Sequence, residues 1–406
     1  MAIKGNAIFA QSGGPTAVIN SSICGAIQEA VKHKEITGML GAINGIFGVM
    51  KENIIDLNKE SKRNIELLKQ TPSSALGSSR YKLKDEDYEK VLNVLKAYNI
   101  RYFFIAGGND SMDTANKVFN LAKSKNYELC VMGIPKTVDN DLPMTDHCPG
   151  YGSVARWLAI SVRDAGLDTE AIYTSDTVKI VETMGRNAGW ITASTALARE
   201  KEDGAPHLIY LPEIPFNRDK FLDDVDKVYK KLGYVLITCC EGLKDENGEY
   251  LTASKRGIDT DKFGHKQLGG VGETLVSIIA EGLKIKARCD KPGTIQRASS
   301  MCASKVDVEE AYLVGQTAVK LASEGKSGYM IILERVPDKT YKCKTNIVKL
   351  EEVANKEKKV PRDFINSEGN WVTQKFIDYV KPLIGDPLPE YAKLEKHFVE
   401  KIWRKL

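Results

Sequence analysis

Arg101-Tyr102-Phe103-Phe104-Ile105-Ala106-Gly107-Gly108-Asn109-Asp110-Ser111 passes from an apolar run through paired glycines into small polar residues. Residues 101–106 read as a buried strand, and residues 111–124 have the spacing of an amphipathic helix, so the glycines fall at a strand-to-helix turn. Such turns present backbone N–H groups that bind phosphate. The next apolar run, residues 129–134, ends in Pro135-Lys136-Thr137-Val138-Asp139-Asn140-Asp141, which delivers one lysine and two aspartates within six residues. Phosphate-binding amides, a cation and paired carboxylates are the parts of a phosphoryl-transfer site.

Outward from this pair, strand-like runs alternate with helical patterns: residues 7–10, 18–31, 85–98, 101–106, 111–124 and 129–134. The rhythm predicts parallel sheets covered by helices on both faces, an α/β fold whose ligands gather at strand carboxyl ends. A second α/β region spans residues 151–286, with apolar runs at 178–181, 207–211 and 233–240. Residues 338–362 are lysine-rich and less periodic, so they form either an ordered surface excursion or a mobile flap. Residues 371–406 read as helical, with Pro382, Pro387 and Pro389 as breakers.

The 406 residues are long for a single core and suggest two domains. An apolar fraction of 42%, with 28% charged residues, is ordinary for a soluble enzyme, and a net charge of +4 is too small to imply a nucleic-acid or membrane partner. No apolar stretch is long enough for a signal peptide or a membrane span, and the eight cysteines include no Cys-x-x-Cys pair. A cytoplasmic protein with reduced thiols is expected.

Two further blocks carry site-like chemistry. Gln11-Ser12-Gly13-Gly14-Pro15-Thr16 joins a strand to a helix, either as an ordinary tight turn or as a second phosphate cradle built on Gly14. Leu76-Gly77-Ser78-Ser79-Arg80-Tyr81 presents an arginine after a flexible stretch, either solvated or poised to clamp a transferring phosphate.

Taken in order, these blocks resemble the phosphofructokinases, and within them the branch that uses pyrophosphate instead of ATP. The similarity covers residues 5–335, and more weakly the tail to Gly385. It implies two parallel-sheet α/β domains with the active site in their cleft: a donor domain of residues 1–145 continued at 296–340, a sugar-phosphate domain of 146–295, and a C-terminal helical extension of 341–406. It implies Mg²⁺-dependent transfer to the C1 hydroxyl of fructose 6-phosphate. Asp139 is then the base, expected to stay ionised near neutral pH, and Asp141 a metal-side residue, with Thr137 and Asn140 orienting them. Gly14, Gly108 and Lys136 bind pyrophosphate and Arg80 assists transfer. Asn109 stands where the family has a metal-holding aspartate.

Asp110 replaces the glycine that lets the α-phosphate of a nucleotide approach, or else caps the following helix. Two like charges about 4 Å apart cost about 4 kcal/mol at an effective dielectric near 20, close to three decades of affinity. Lys136 replaces a second glycine of the ATP-using relatives. The acceptor side maps onto Met184, Gly185, Arg186, Glu241, Arg288 and Arg297, with Thr294 where many relatives carry histidine or tyrosine. Some family arginines reach across a subunit boundary, so a homodimer or homotetramer is expected. Phe263-Gly264-His265-Lys266-Gln267-Leu268-Gly269-Gly270 also resembles the pyrophosphate branch and is expected to enter a helix; His265 receives no role. An ATP-dependent enzyme of the same fold, and a catalytically silent subunit that senses sugar phosphate, remain as alternatives.

Overall fold

The computed structural model describes residues 3–252, 270–338 and 340–403. The strands among them are Gly5–Gln11 (β1), Ile36–Ala42 (β2), Ile54–Asp56 (β3), Ile100–Gly107 (β4), Cys130–Pro135 (β5), Val178–Thr183 (β6), Leu208–Tyr210 (β7), Val235–Cys240 (β8), Ala287–Asp290 (β9), Tyr329–Arg335 (β10) and Cys343–Lys349 (β11). They form a larger sheet in the order β11-β10-β5-β4-β1-β2-β3 and a smaller one in the order β7-β8-β6-β9. The smaller sheet is parallel throughout, and the larger is parallel except at its two edges, where β3 and β11 run antiparallel.

Strand alternation builds the core. In β4, Phe103 and Ile105 pack on one face of the larger sheet while Tyr102, Phe104 and Ala106 pack on the other, so both faces are buried, as a parallel sheet requires. Helices Asp85–Ala97 and Asn109–Ser124 cover the first face, and Ile19–Ala30 with Lys305–Ser323 cover the second. The latter two approach closely because Gly25 and Gly315 face the partner backbone; a Cβ on Gly315 would fall 1.9 Å from the Ser22 carbonyl. This contact ties the late helix Lys305–Ser323 to the N-terminal layer.

Chain order reverses between β1 and β4, which is the switch point where doubly wound sheets open a crevice. The carboxyl ends of β1, β4 and β5 converge there. The ends of β6 and β8 face them from the smaller sheet.

Two sequence expectations are corrected. Residues 343–353 of the lysine-rich segment 338–362 are regular structure: β11 pairs along β10 from Lys349 to Cys343, and helix Leu350–Val353 buries Leu350 and Val353 in the core. Lys344 and Lys349 on this edge strand disguised it, because charged edge residues are how sheets guard against mispairing. Lys339 lies outside the described residues. The tail is helical only at Gln374–Val380 and in a short turn at Lys381–Ile384; residues 385–403 form neither helix nor strand. Three prolines deny the backbone its donors, and the amphipathic stretch beyond has no surface to bury against, with Leu394, Phe398, Ile402 and Trp403 all exposed. The tail instead follows helix Tyr151–Ala171, where Arg163 donates to the Pro389 carbonyl at 2.8 Å and Tyr391 to Asp164 at 2.8 Å.

Candidate active site

A cavity of about 480 Å³ opens between the two sheets. Of the residues expected at the site, Gly14, Arg80, Gly108, Asn109, Asp110, Lys136, Thr137, Asp139, Asp141, Met184, Arg186, Glu241 and Arg297 all line it. Gly185 sits just behind, at φ +132, and its amide bonds the Glu241 carboxylate. Arg288 is elsewhere. It lies on β9, more than half exposed, and pairs with Asp176 at 3.0 Å.

The donor wall is assembled by short connections. Gly13 and Gly14 leave β1, and a Cβ on Gly14 would sit 3.0 Å from the Arg297 guanidinium, so side chains there would displace the cations. Ser78 donates to the Gly13 carbonyl at 2.6 Å, and Gly13 N–H donates to Ser79 at 3.3 Å, which brings the Arg80 loop alongside. Buried Gln11 and Asn20 hold that loop from below by accepting from Leu76 N–H at 3.0 Å and Ala75 N–H at 2.8 Å.

The helix after β4 begins two residues earlier than the sequence predicts. Gly108 is its N-cap, so Asn109 and Asp110 occupy the first turn and do not precede it. The Asp110 side chain makes no capping bond; the carboxylate lines the cavity where the helix dipole favours negative charge. Asn109 Oδ1 accepts from Asp110 N–H at 2.9 Å.

Lys136 is 2% exposed, and its Nζ donates to the Gly14 carbonyl at 2.8 Å, which excludes a surface lysine. Burial first, then the nearby Arg297, press its pKa down to about 7, with Asp139 opposing. Arg297 is itself held below its ordinary range by burial and by Arg80. Three cations compressed together in this way make a site for a polyanion, whose charge would relieve all of them. Arg186 adds a buried Nε with no hydrogen-bond partner among the described residues.

At Asp139 burial outweighs Lys136, Arg186 and Arg297, and the net shift of its pKa is upward from the ordinary carboxylate value. Asp141 rises to about 7 through burial, Asp139 and Glu357, and Glu241 rises to about 7 through burial and Asp139, with Arg186 opposing. Three carboxyls raised together in one cleft suit proton transfer or cation binding. Asn140 is buried in a left-handed turn at φ 53; its amide donates to Tyr379 at 2.9 Å and accepts from Cys148 N–H at 2.9 Å, so it props the loop and does not face the cavity.

Several contributors carried no signal of their own. Gln296, 2% exposed, accepts from Met184 N–H at 3.1 Å and donates to Gly293 at 2.9 Å, fixing the acceptor loop to the turn that carries Arg297. Asn187, beside Arg186, lines the cavity, as do Asn355 and Glu357 from the lysine-rich segment. Phe263–Gly269 lies outside the described residues; Gly270 is the N-cap of helix Val271–Leu283.

Residues 6–322 match the phosphofructokinase family model. The chain belongs to the phosphofructokinase family. Within that family it is 44% identical to the pyrophosphate–fructose 6-phosphate 1-phosphotransferase of Halomonas elongata, over 98% of this chain and 97% of that one. The protein of the same name from Xanthomonas campestris is 43% identical, over 98% of each chain. Among solved structures, the pyrophosphate-dependent phosphofructokinase of Marinobacter aquaeolei superposes with a TM-score of 0.85 at 42% identity, again over 98% of each chain. Among the described residues no helix is long and apolar enough to cross a membrane, and none of the eight cysteines is paired.

Proposed function

We propose that the chain catalyses reversible phosphoryl transfer from pyrophosphate to the C1 hydroxyl of fructose 6-phosphate, giving fructose 1,6-bisphosphate and phosphate, a step shared by glycolysis and gluconeogenesis. The observation that carries the donor assignment is the pairing of Asp110 and Lys136 on one wall: a carboxylate in the first helical turn and a buried ammonium anchored to Gly14. The carboxylate repels a third phosphate, while Lys136, Arg80 and the amides around Gly14 and Gly108 hold the diphosphate.

On the acceptor wall Arg186 and Arg297 take the 6-phosphate, and Glu241, near Met184 and Gly185, accepts from ring hydroxyls. Asp139 stands between the walls with a raised pKa, which makes it a stronger acceptor for the C1 proton as oxygen attacks phosphorus. Lys136 offsets charge developing on the transferred group.

The family's use of Mg²⁺ fits the donor set. Asp141 and Asn109 offer hard oxygen ligands within the cavity, with Asp139 beside them, and two carboxyl groups plus phosphate oxygens supply the oxygen donors Mg²⁺ prefers. Bound there, the ion would neutralise phosphate charge and polarise the transferring group. We infer a cytoplasmic homodimer or homotetramer. Its support is the eight unpaired thiols and the outward position of Arg288, more than half exposed on β9 beside its partner Asp176. The division into donor residues 1–145 with 296–340 and acceptor residues 146–295 is likewise our reading, supported by the separate sheets; the helical extension expected from 341 is corrected, because β11 and helix Leu350–Val353 belong to the larger sheet and its core.

The test is fructose 1,6-bisphosphate formation with Mg²⁺, comparing pyrophosphate and ATP at equal concentration. Turnover with pyrophosphate alone is expected. Turnover with ATP alone would overturn the donor assignment, and turnover with neither would overturn the enzymatic reading.

A further inference from the structure

The open side of the cleft is bridged by residues 355–358, and each of their contacts reaches a different part of the machinery. On the donor side, Asn355 Nδ2 donates to Asp113 at 3.0 Å and the Lys356 carbonyl accepts from Asn109 Nδ2 at 3.4 Å, both within the first turns of the donor helix. On the acceptor side, Glu357 Oε1 accepts from Asn187 Nδ2 at 2.8 Å, next to Arg186 in sequence. Between them, Lys358 N–H donates to the Asp141 carbonyl at 2.6 Å.

The walls also meet at the turn of Gln296 and Arg297, where Gln296 accepts from Met184 N–H and the Arg297 guanidinium rests against Gly14. The donor helix packs on the larger sheet, and the loop carrying Arg186 leaves β6 of the smaller one. A four-residue bridge is too short to absorb a shift at one end without moving the other. When sugar phosphate draws the loop of Arg186 and Asn187 into place, the bridge carries Asn109 and the amides of the donor helix toward their own bound geometry.

We propose that Glu357 is a positioning residue, and that the bridge of residues 355–358 couples sugar-phosphate binding to diphosphate binding. The proposal rests on the reading above that these two ligands occupy opposite walls. Because coupling between two binding sites is reciprocal, each ligand must tighten the other by the same factor.

The test is calorimetric titration of fructose 6-phosphate with Mg²⁺, with and without methylenediphosphonate, a diphosphate mimic that cannot be cleaved. In the unaltered protein the mimic is expected to tighten sugar-phosphate binding about fivefold or more, within the usual range of coupling. Glu357→Ala and Asn355→Ala should each bring that ratio to within about twofold of unity, and Asn187→Ala should do the same from the far side. Glu357→Gln, whose amide oxygen still accepts from Asn187, should keep the full ratio, with thermal unfolding of all variants matching the unaltered chain. A ratio of one in the unaltered protein, or alanine variants that keep the full ratio, would remove the coupling while leaving the functional reading intact. A glutamine variant as damaged as the alanine variant would show that charge, and not position, is what Glu357 supplies. No sugar-phosphate binding by the unaltered protein would remove both the proposal and the reading beneath it.

Discussion

The two walls of the cleft are built differently. The donor wall comes from three strand ends of one sheet, β1, β4 and β5, and its charged groups lie within a few residues of a glycine turn or a strand terminus. The acceptor wall is gathered from β6, β8, the turn at Gln296–Arg297 and the bridge at 355–358, segments separated by many tens of residues. Chemistry carried by a local turn can be recognised from spacing alone. Chemistry assembled by tertiary packing cannot, because its residues share no period and no turn.

Asp139, which faces both walls, is where the comparison is tested hardest. Asp139→Ser should lower kcat by roughly a thousandfold, within the range for a lost general base, while fructose 6-phosphate binding changes by less than about threefold. Steady-state and binding measurements on the same variant decide it; a comparable loss of binding would make Asp139 structural.

Arg297 sharpens the comparison because it belongs to the acceptor wall by sequence yet its guanidinium rests against Gly14 of the donor loop. Arg297→Ala should weaken both substrates by roughly ten- to a hundredfold, the worth of a charged hydrogen bond. An effect on KM for sugar phosphate alone would separate the walls more cleanly than the geometry does. Gln296→Ala acts chiefly on the acceptor loop, by orphaning Met184 N–H, and also removes the bond to Gly293 within the turn before Arg297. A rise of about fivefold in KM for fructose 6-phosphate, with KM for pyrophosphate unchanged, is expected for one neutral hydrogen bond.

The smallest effect concerns stability beneath the site. His147 is buried between Asp146 at 2.8 Å and Glu310 at 2.6 Å, with Tyr341 and Arg335 close by. Burial lowers its pKa, but the two carboxylates outweigh that and leave it near 9, above its ordinary value of 6.5. A raised folded-state pKa means stabilisation that is complete below about pH 6.5 and disappears as pH rises through about 9. Unfolding temperatures of the unaltered chain and of His147→Gln should therefore differ by a few degrees at pH 6.5 and converge toward pH 9.5. A constant gap would show that His147 contributes packing and not charge.

Three strands at the centre of the larger sheet were legible, since β1, β4 and β5 are apolar runs closed by glycine or proline, whereas their flanking partners β2 and β10 were not read. Nor were the edges. β11 reads as lysine-rich and β9, Ala287–Asp290, is short and half-exposed, because an edge strand has no second neighbour demanding apolar side chains. At the site, Lys136 and Asp139 were found by composition, whereas the burial that pushes both toward neutrality belongs to the fold. Asn187 and Glu357 needed coordinates: one is an ordinary asparagine, the other one glutamate among lysines. Arg288 shows the opposite case, a residue expected at the site by family resemblance that this chain holds on its outer edge.

The central claim is that Asp110 and Lys136 choose the donor. It is tested most directly by the ratio of kcat/KM for pyrophosphate to kcat/KM for ATP in the unaltered protein and in the double variant Asp110→Gly, Lys136→Gly. The account predicts a strong preference for pyrophosphate that falls by about two orders of magnitude or more when the carboxylate and ammonium are removed together. A double variant that keeps the original ratio would contradict it.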